Sequence, residues 1–138
     1  RSLAKKLSGD KIAKIRFELR FASYQKVEGW ESAFIAGPPK TRVWISPEVA
    51  LANSDVARAW PQPDASGFVV GFMLTEEGSL KLARLTKSHI GENLAIMIGG
   101  QVRSVPKIMA EITGGRALIH GPFTEAEAGV VAEGITAK

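Results

Sequence analysis

The chemistry open to this 138-residue chain is limited first by what it lacks. It has no cysteine, which excludes a disulfide framework, a zinc–thiolate site, an iron–sulfur cluster and a thiolate nucleophile. His89 and His120 are the only imidazoles. Neither is tied by spacing to a serine, an acid or a second ligand, and acid–base or nucleophilic catalysis needs such a set. His89 falls on an apolar stripe and reads as a helix-end or core residue, and His120 reads as structural or exposed. Glu76-Glu77 and the pair Glu125 and Glu127 sit where helices start, and a negative side chain there meets the positive end of the helix dipole. No catalytic residue, metal ligand or cofactor is assigned, and the chain reads as non-enzymatic. A small hydrolase or metal enzyme is the least favoured alternative.

The residues left for function are aromatic and basic. Trp30, Trp44 and Trp60 are the three tryptophans. Core packing is the default for such residues, but Trp30 and Trp60 lie in or beside loops, where an amphipathic ring serves as a surface anchor. They are the candidate partner-binding residues. The net charge of +4 is unevenly spread, with 10 basic and 4 acidic residues in 1–42 against 8 and 10 in 43–138. The excess sits in Lys5, Lys6, Lys11, Lys14, Arg16 and Arg20. Nucleic-acid readers add stacking aromatics to such a groove. Tyr24 is the one tyrosine and no aromatic–basic motif occurs, so no nucleic-acid partner is expected. A solvated face beside a membrane tether is the simpler reading. The apolar runs 68–74 and 94–98 are far below the ~18–20 residues needed to span a bilayer. The start at Arg1 reads as loss of an upstream segment, and no signal-peptide pattern is visible.

These residues must be held by elements the sequence also suggests. At 45% hydrophobic and 23% charged, the composition is that of a globular domain. Ile15, Phe17, Leu19 and Phe21 alternate with Arg16, Glu18 and Arg20, the period of a half-buried strand. Residues 24–40 have no sustained period and end in Gly37-Pro38-Pro39, so they read as a loop. A short strand follows at 42–46. Asn53 or Ser54 can cap a short helix reaching Trp60, and 61–64 reads as a turn. Residues 68–74 are almost continuously apolar and read as a central strand. Thr75 is the N-cap of a helix over 76–90, with Leu82, Leu85, Thr86, His89 and Ile90 on its buried stripe. Gly91 can close that helix in the left-handed conformation. Gly99-Gly100 joins the strands 94–98 and 101–105 as a hairpin, and Pro106 ends the second. Residues 108–112 and 117–120 read as another extended pair around Gly114-Gly115. Thr124 opens a last helix through a capping box with Glu127. The order argues for an α+β fold: a mixed, mainly antiparallel sheet with helices packed on one face. The whole of 1–138 reads as one domain, with a basic strand and loop in 1–41 and the α+β core in 42–138.

One stretch carries more than secondary structure. It comprises Leu74-Thr75-Glu76-Glu77-Gly78, Thr86, Gly91, Leu94-Ala95-Ile96, Ser104-Val105-Pro106, Ile112-Thr113-Gly114-Gly115-Arg116-Ala117, Ile119, Gly121, Phe123-Thr124 and Glu127-Ala128. It resembles the head subdomain of the first periplasmic domain of SecD, the accessory subunit of the bacterial preprotein translocase. The ordered match runs over about residues 69–132. Gly78, Gly91, Pro106, Gly114, Gly115, Gly121 and Thr124 are its structural framework. Gly114-Gly115 reads as a tight turn rather than an anion nest. Two shorter echoes lie upstream: Ala13-Lys14-Ile15-Arg16-Phe17 is similar to the family's base strand, and Asp55-Val56-Ala57-Arg58-Ala59 to a short helix before the central strand. The chain departs from the pattern at Gly99, where the family has aspartate, and at His120. The membrane helices of SecD have no counterpart here, so the proton-linked work of membrane residues is not carried over.

The resemblance implies a periplasmic or otherwise extracytoplasmic domain, tethered through segments outside this sequence, that contacts unfolded or translocating polypeptide. A sheet edge that adds an extended peptide as a strand is one physical route. The alternative is a scaffold or assembly module that binds a folded partner.

Overall fold

The structure is a computed structural model and describes residues 13–137, so Lys5, Lys6 and Lys11 of the basic run lie outside the described residues. The strands are β1 (Phe17–Ser23), β2 (Glu31–Ile35), β3 (Thr41–Ile45), β4 (Leu51–Ala52), β5 (Val56–Asp64), β6 (Gly67–Leu74), β7 (Asn93–Ile98), β8 (Gln101–Ser104) and β9 (Arg116–Phe123). The helices are α1 (Glu76–Lys87) and α2 (Glu125–Thr136). The α+β class holds, but the strands form two sheets where the sequence suggested one.

The first sheet closes on itself. Its order is β3-β2-β8-β7-β1-β4, and β3 pairs back onto β1 through Ala22↔Ile45 and Ser23↔Trp44. β1, β3, β2, β8 and β7 thus form a small barrel, with β4 continuing the β3 side along β1 at Leu19↔Leu51. All its ladders are antiparallel except the single parallel contact of β2 with β8, Ile35↔Val102. Ala22, Val43, Ile45, Ala95, Val102 and Val105 fill the interior. The other faces of β1 and β7, carrying Phe17, Leu19, Leu94 and Ile96, look outward into a second, larger core. Alternate residues of one strand therefore serve two cores, which is what the period-two pleat permits.

The second sheet is an open antiparallel trio, β5-β6-β9. Residues 68–74 are central as expected. Val70, Phe72 and Leu74 enter the larger core with Ile119 of β9, Leu82 of α1, and Ala128, Ala132 and Ile135 of α2. Phe72 meets Phe17 edge to face at 5.1 Å between ring centres, a favoured aromatic geometry that ties the open sheet to the barrel wall. Both helix starts are built as expected. Thr75 Oγ1 accepts the Gly78 N–H at 2.9 Å. Thr124 and Glu127 complete a reciprocal box at 3.1 and 2.8 Å.

Five expectations are corrected. Residues 24–40 are not all loop, since β2 lies among them and pairs with β3 from Glu31↔Ile45 to Ile35↔Thr41. Its outward Phe34 blurs the alternation, and Arg42 and Lys40 lie over that ring at 4.9 and 5.2 Å. The helix expected to reach Trp60 is a single 3₁₀ turn, Asn53–Asp55, followed by β5. Asp55 turns back to accept the Ala52 N–H at 3.0 Å and meets Lys81 Nζ at 3.0 Å, and the long ladder to β6 then outweighs local helix propensity. The stretch 61–64 is strand, and the reversal comes after Asp64. α1 stops at Lys87, which leaves Leu85 half-buried and Ile90 exposed. Residues 108–112 form no strand. Their backbone is tied to the end of α1, with Ile112 N–H on Thr86 Oγ1 at 2.9 Å and Gly91 N–H on the Ile108 carbonyl at 2.8 Å.

Candidate functional site

Among the described residues, two of the concave surfaces set charged side chains beside apolar ones. One is the mouth of the barrel, a cavity of about 410 Å³ lined by Arg16, Glu18, Arg20, Glu31, Ala33 and Met97 among others. The polar side of β1 turns inward here, so Glu18 is only 8% exposed. Its carboxylate accepts from Arg20 Nε at 3.1 Å, with Arg16 Nε at 3.9 Å. Arg20 also donates to the Ser46 and Pro47 carbonyls at 3.1 Å each. The buried charges are thus answered within the cavity, as burial requires.

The other surface is the face of the open sheet turned away from the larger core. Arg58, Trp60 and Gln62 of β5, Val69, Gly71 and Met73 of β6, and Arg116, Leu118 and His120 of β9 alternate with the core residues and so share it. Trp60 organises this face. Its indole lies against Gly71, where an added Cβ would sit 2.6 Å from Nε1, so glycine is needed for this close approach. The Nε1–H donates to Gln62 Oε1 at 3.1 Å, and the Arg116 guanidinium lies 5.8 Å from the ring centre. Trp60 is half-buried and borders two grooves. One, of about 260 Å³, runs past Gln62, Arg116, Ala117 and Leu118. The other, of about 550 Å³, lies between β5 and α2 beside Pro61, Glu125 and Glu133.

The two edges of this sheet differ in their backbone. Leu74 N–H donates to the Gly115 carbonyl at 2.8 Å, so the even-numbered residues of β6 bond toward β9 and the odd-numbered ones toward β5. Pro61 and Pro63 stand opposite the even-numbered Val70 and Phe68. Their missing N–H groups therefore face outward, where no ladder bond is lost. On β9 the residues paired with Val70 and Phe72 are Ile119 and Ala117. Arg116 and Leu118 consequently turn their own N–H and C=O groups outward, at the free edge of the sheet, and His120 follows at the register shift before Phe123.

The structure separates the two candidate tryptophans. Trp60 is in this surface, whereas Trp30 is half-buried in the loop before β2, its backbone N–H donating to the Val27 carbonyl at 3.1 Å. Of the framework residues, Gly91, Gly114 and Gly115 have positive φ, at 96°, 89° and 65°. Gly78 lies where a Cβ would come within 3.0 Å of Asp55, and Gly121 where one would press on the Phe68 carbonyl at 2.8 Å. Pro106 follows β8, and its carbonyl accepts the Leu94 N–H at 3.0 Å. His89 donates from Nδ1 to the Leu85 carbonyl at 2.7 Å and packs against Phe21, while His120 is exposed on β9. Among the described residues no group of three or more His, Asp or Glu side chains converges as a metal site would require. No helix there is long and apolar enough to cross a membrane. The β9 edge was missed by the sequence reading because parity along a ladder is visible only once the pairing is known.

Comparison with known proteins gives a consistent result. The model of the SecDF P1 head subdomain matches residues 31–137. The protein translocase subunit SecD of Sebaldella termitidis is 41% identical over 75 residues, 54% of this chain and 18% of that protein. The subunit SecDF of Thermus thermophilus is 40% identical over 83 residues, 59% of this chain and 11% of that protein. The crystal structure of SecDF in a super-membrane-facing form superposes with a TM-score of 0.69 at 26% identity, over 88% of this chain and 18% of the other. The chain thus spans less than a fifth of the length of these relatives.

Proposed function

We propose that this chain, which belongs to the SecDF P1 head subdomain family, serves protein export from outside the cytoplasm by contacting extended polypeptide. The family match over residues 31–137 is the observation that carries the reading. The relatives are named as protein translocase subunits, and on this reading the chain meets polypeptide that has not yet folded. The contact falls on the open sheet at Trp60 rather than at the barrel mouth. The mouth already holds the Glu18–Arg20 ion pair, and breaking it would leave the buried Glu18 carboxylate without its partner. The Trp60 face offers apolar area, cationic groups and grooves without such a cost. Contacts of this kind accept many sequences, since apolar area and backbone groups are common to all of them. Trp30 stands apart from this face, in the loop before β2.

Fluorescence anisotropy of a labelled, permanently unfolded protein titrated with the 138-residue chain tests the reading. The expected result is saturable binding that survives high salt. Binding that vanishes as salt screens the charges would reduce it to general attraction by a basic protein, and no binding would remove it.

A further inference from the structure

We infer that the outer edge of β9 is the strand-docking site, and that it takes an extended segment with an apolar residue against Leu118 and an acidic one beside Arg116. This deepens the reading above and rests on it. The first observation is the contrast between edges. β5 presents prolines at 61 and 63 in its outward positions, which strips that edge of two donors and blunts it against strand addition. β9 carries Arg116 and Leu118 at the corresponding places, each with an N–H and a carbonyl facing away from β6. The strands of the barrel each have a neighbour on both sides, through the β1–β3 and β2–β8 contacts that close it.

The second observation is charge. The side chains of Arg116, Leu118 and His120 stand on the uncovered face, next to the groove shared by Trp60, Gln62 and Leu118. Arg116 lines that groove and Arg58 stands on the same face, and both are exposed and basic. An added strand places alternate residues on this same face, so the residue opposite Leu118 meets an exposed apolar side chain, 38% accessible, and its neighbour two positions away meets a guanidinium. Cross-strand pairs of opposite charge are favourable and like pairs are not. A second copy of the chain is the less fitting occupant, because self-pairing along β9 brings two copies of this basic face together at the junction.

The test is an NMR titration of the 138-residue chain with a capped peptide that alternates valine and glutamate. A lysine counterpart and a version with alternate amides N-methylated accompany it. The expected result is shifts confined to β9 and the Trp60 face, with slowed amide exchange at Arg116 and Leu118. The lysine peptide binds about three- to fivefold more weakly, the size of a favourable cross-strand pair, and the N-methylated peptide loses binding. Leu118→Pro removes one outward donor and weakens binding. Pro61→Ala with Pro63→Ala, which restores donors on β5, leaves it unchanged. Shifts on β5 or at the barrel mouth, indifference to N-methylation, or equal binding of the lysine peptide would overturn the inference while the export reading stands. Dimerisation through β9 that excludes the peptide would overturn it in favour of a second copy. Failure of both the peptides and an unfolded protein to bind would remove the two readings together.

Discussion

The two sheets of this molecule solve the same problem in opposite ways. The barrel leaves none of its five strands without a neighbour on either side, because β3 returns to β1. Its polar residues turn inward and answer one another around Glu18. The open trio keeps both its edges, blunts one with Pro61 and Pro63, and leaves the other with its backbone groups facing outward. Its uncovered face carries a tryptophan, an exposed leucine and two arginines. A closed sheet has spent its hydrogen-bonding capacity on itself, whereas an open sheet retains some for a partner. Fold and contact surface are thus divided between two parts of one chain that share the larger core.

That division can be broken first at the shared core. Phe72→Ala removes the ring that meets Phe17 at 5.1 Å and should cost about 3–5 kcal/mol. Val43→Ala, wholly inside the barrel, should cost about 1.5–3 kcal/mol. Urea denaturation of both variants checks the order, and a larger loss at Val43 would place the weight of stability in the barrel. Next in size is α1. Leu82, 5% exposed, should lose about 2–5 kcal/mol on truncation to alanine, while the half-buried Leu85 should lose about 1 kcal/mol. Equal losses would mean that the helix is rotated relative to the described packing.

Gly71→Ala sharpens the comparison at the open face. The new methyl group collides with the Trp60 indole, and the overpacking should cost about 1–3 kcal/mol. The penalty should shrink when Trp60→Ala is combined with it, as a double-mutant cycle of thermal midpoints would record. The smallest expected effect is Thr124→Ala, about 0.5–2 kcal/mol from the loss of the α2 cap. An unchanged denaturation midpoint would show that the box at 3.1 and 2.8 Å does not contribute.

What was legible in the sequence follows the range of the interactions involved. Thr75, Thr124 and the Gly99-Gly100 turn act within a few residues, and each appears where local chemistry put it, with φ of 61° and 84° at the two glycines. The ordered motif from Leu74 to Ala128 was enough to name the family. β2 and β5 were lost because long-range pairing decides them. β2 hides its alternation behind Phe34 and its cationic neighbours. β5 contains a helix-like opening and two prolines, which read as breakers until the edge that tolerates them is known. The inward turn of Glu18 was equally hidden, since an alternating strand gives the same pattern whether its polar side meets water or the mouth of a barrel. Of the candidate contact residues, Trp60 sits in a coherent surface and Trp30 does not, a distinction that two isolated tryptophans in a sequence do not make.

The central claim is that extended polypeptide meets the open sheet and not the barrel. Because the chain has no cysteine, single-cysteine variants read this directly: Leu118→Cys beside the β9 edge and Met97→Cys in the barrel mouth, each mixed with an unfolded protein carrying one activated thiol. Rapid disulfide cross-linking through position 118 and slow, background-level cross-linking through position 97 is the predicted result. Equal rates at the two positions, or faster capture at 97, would contradict it.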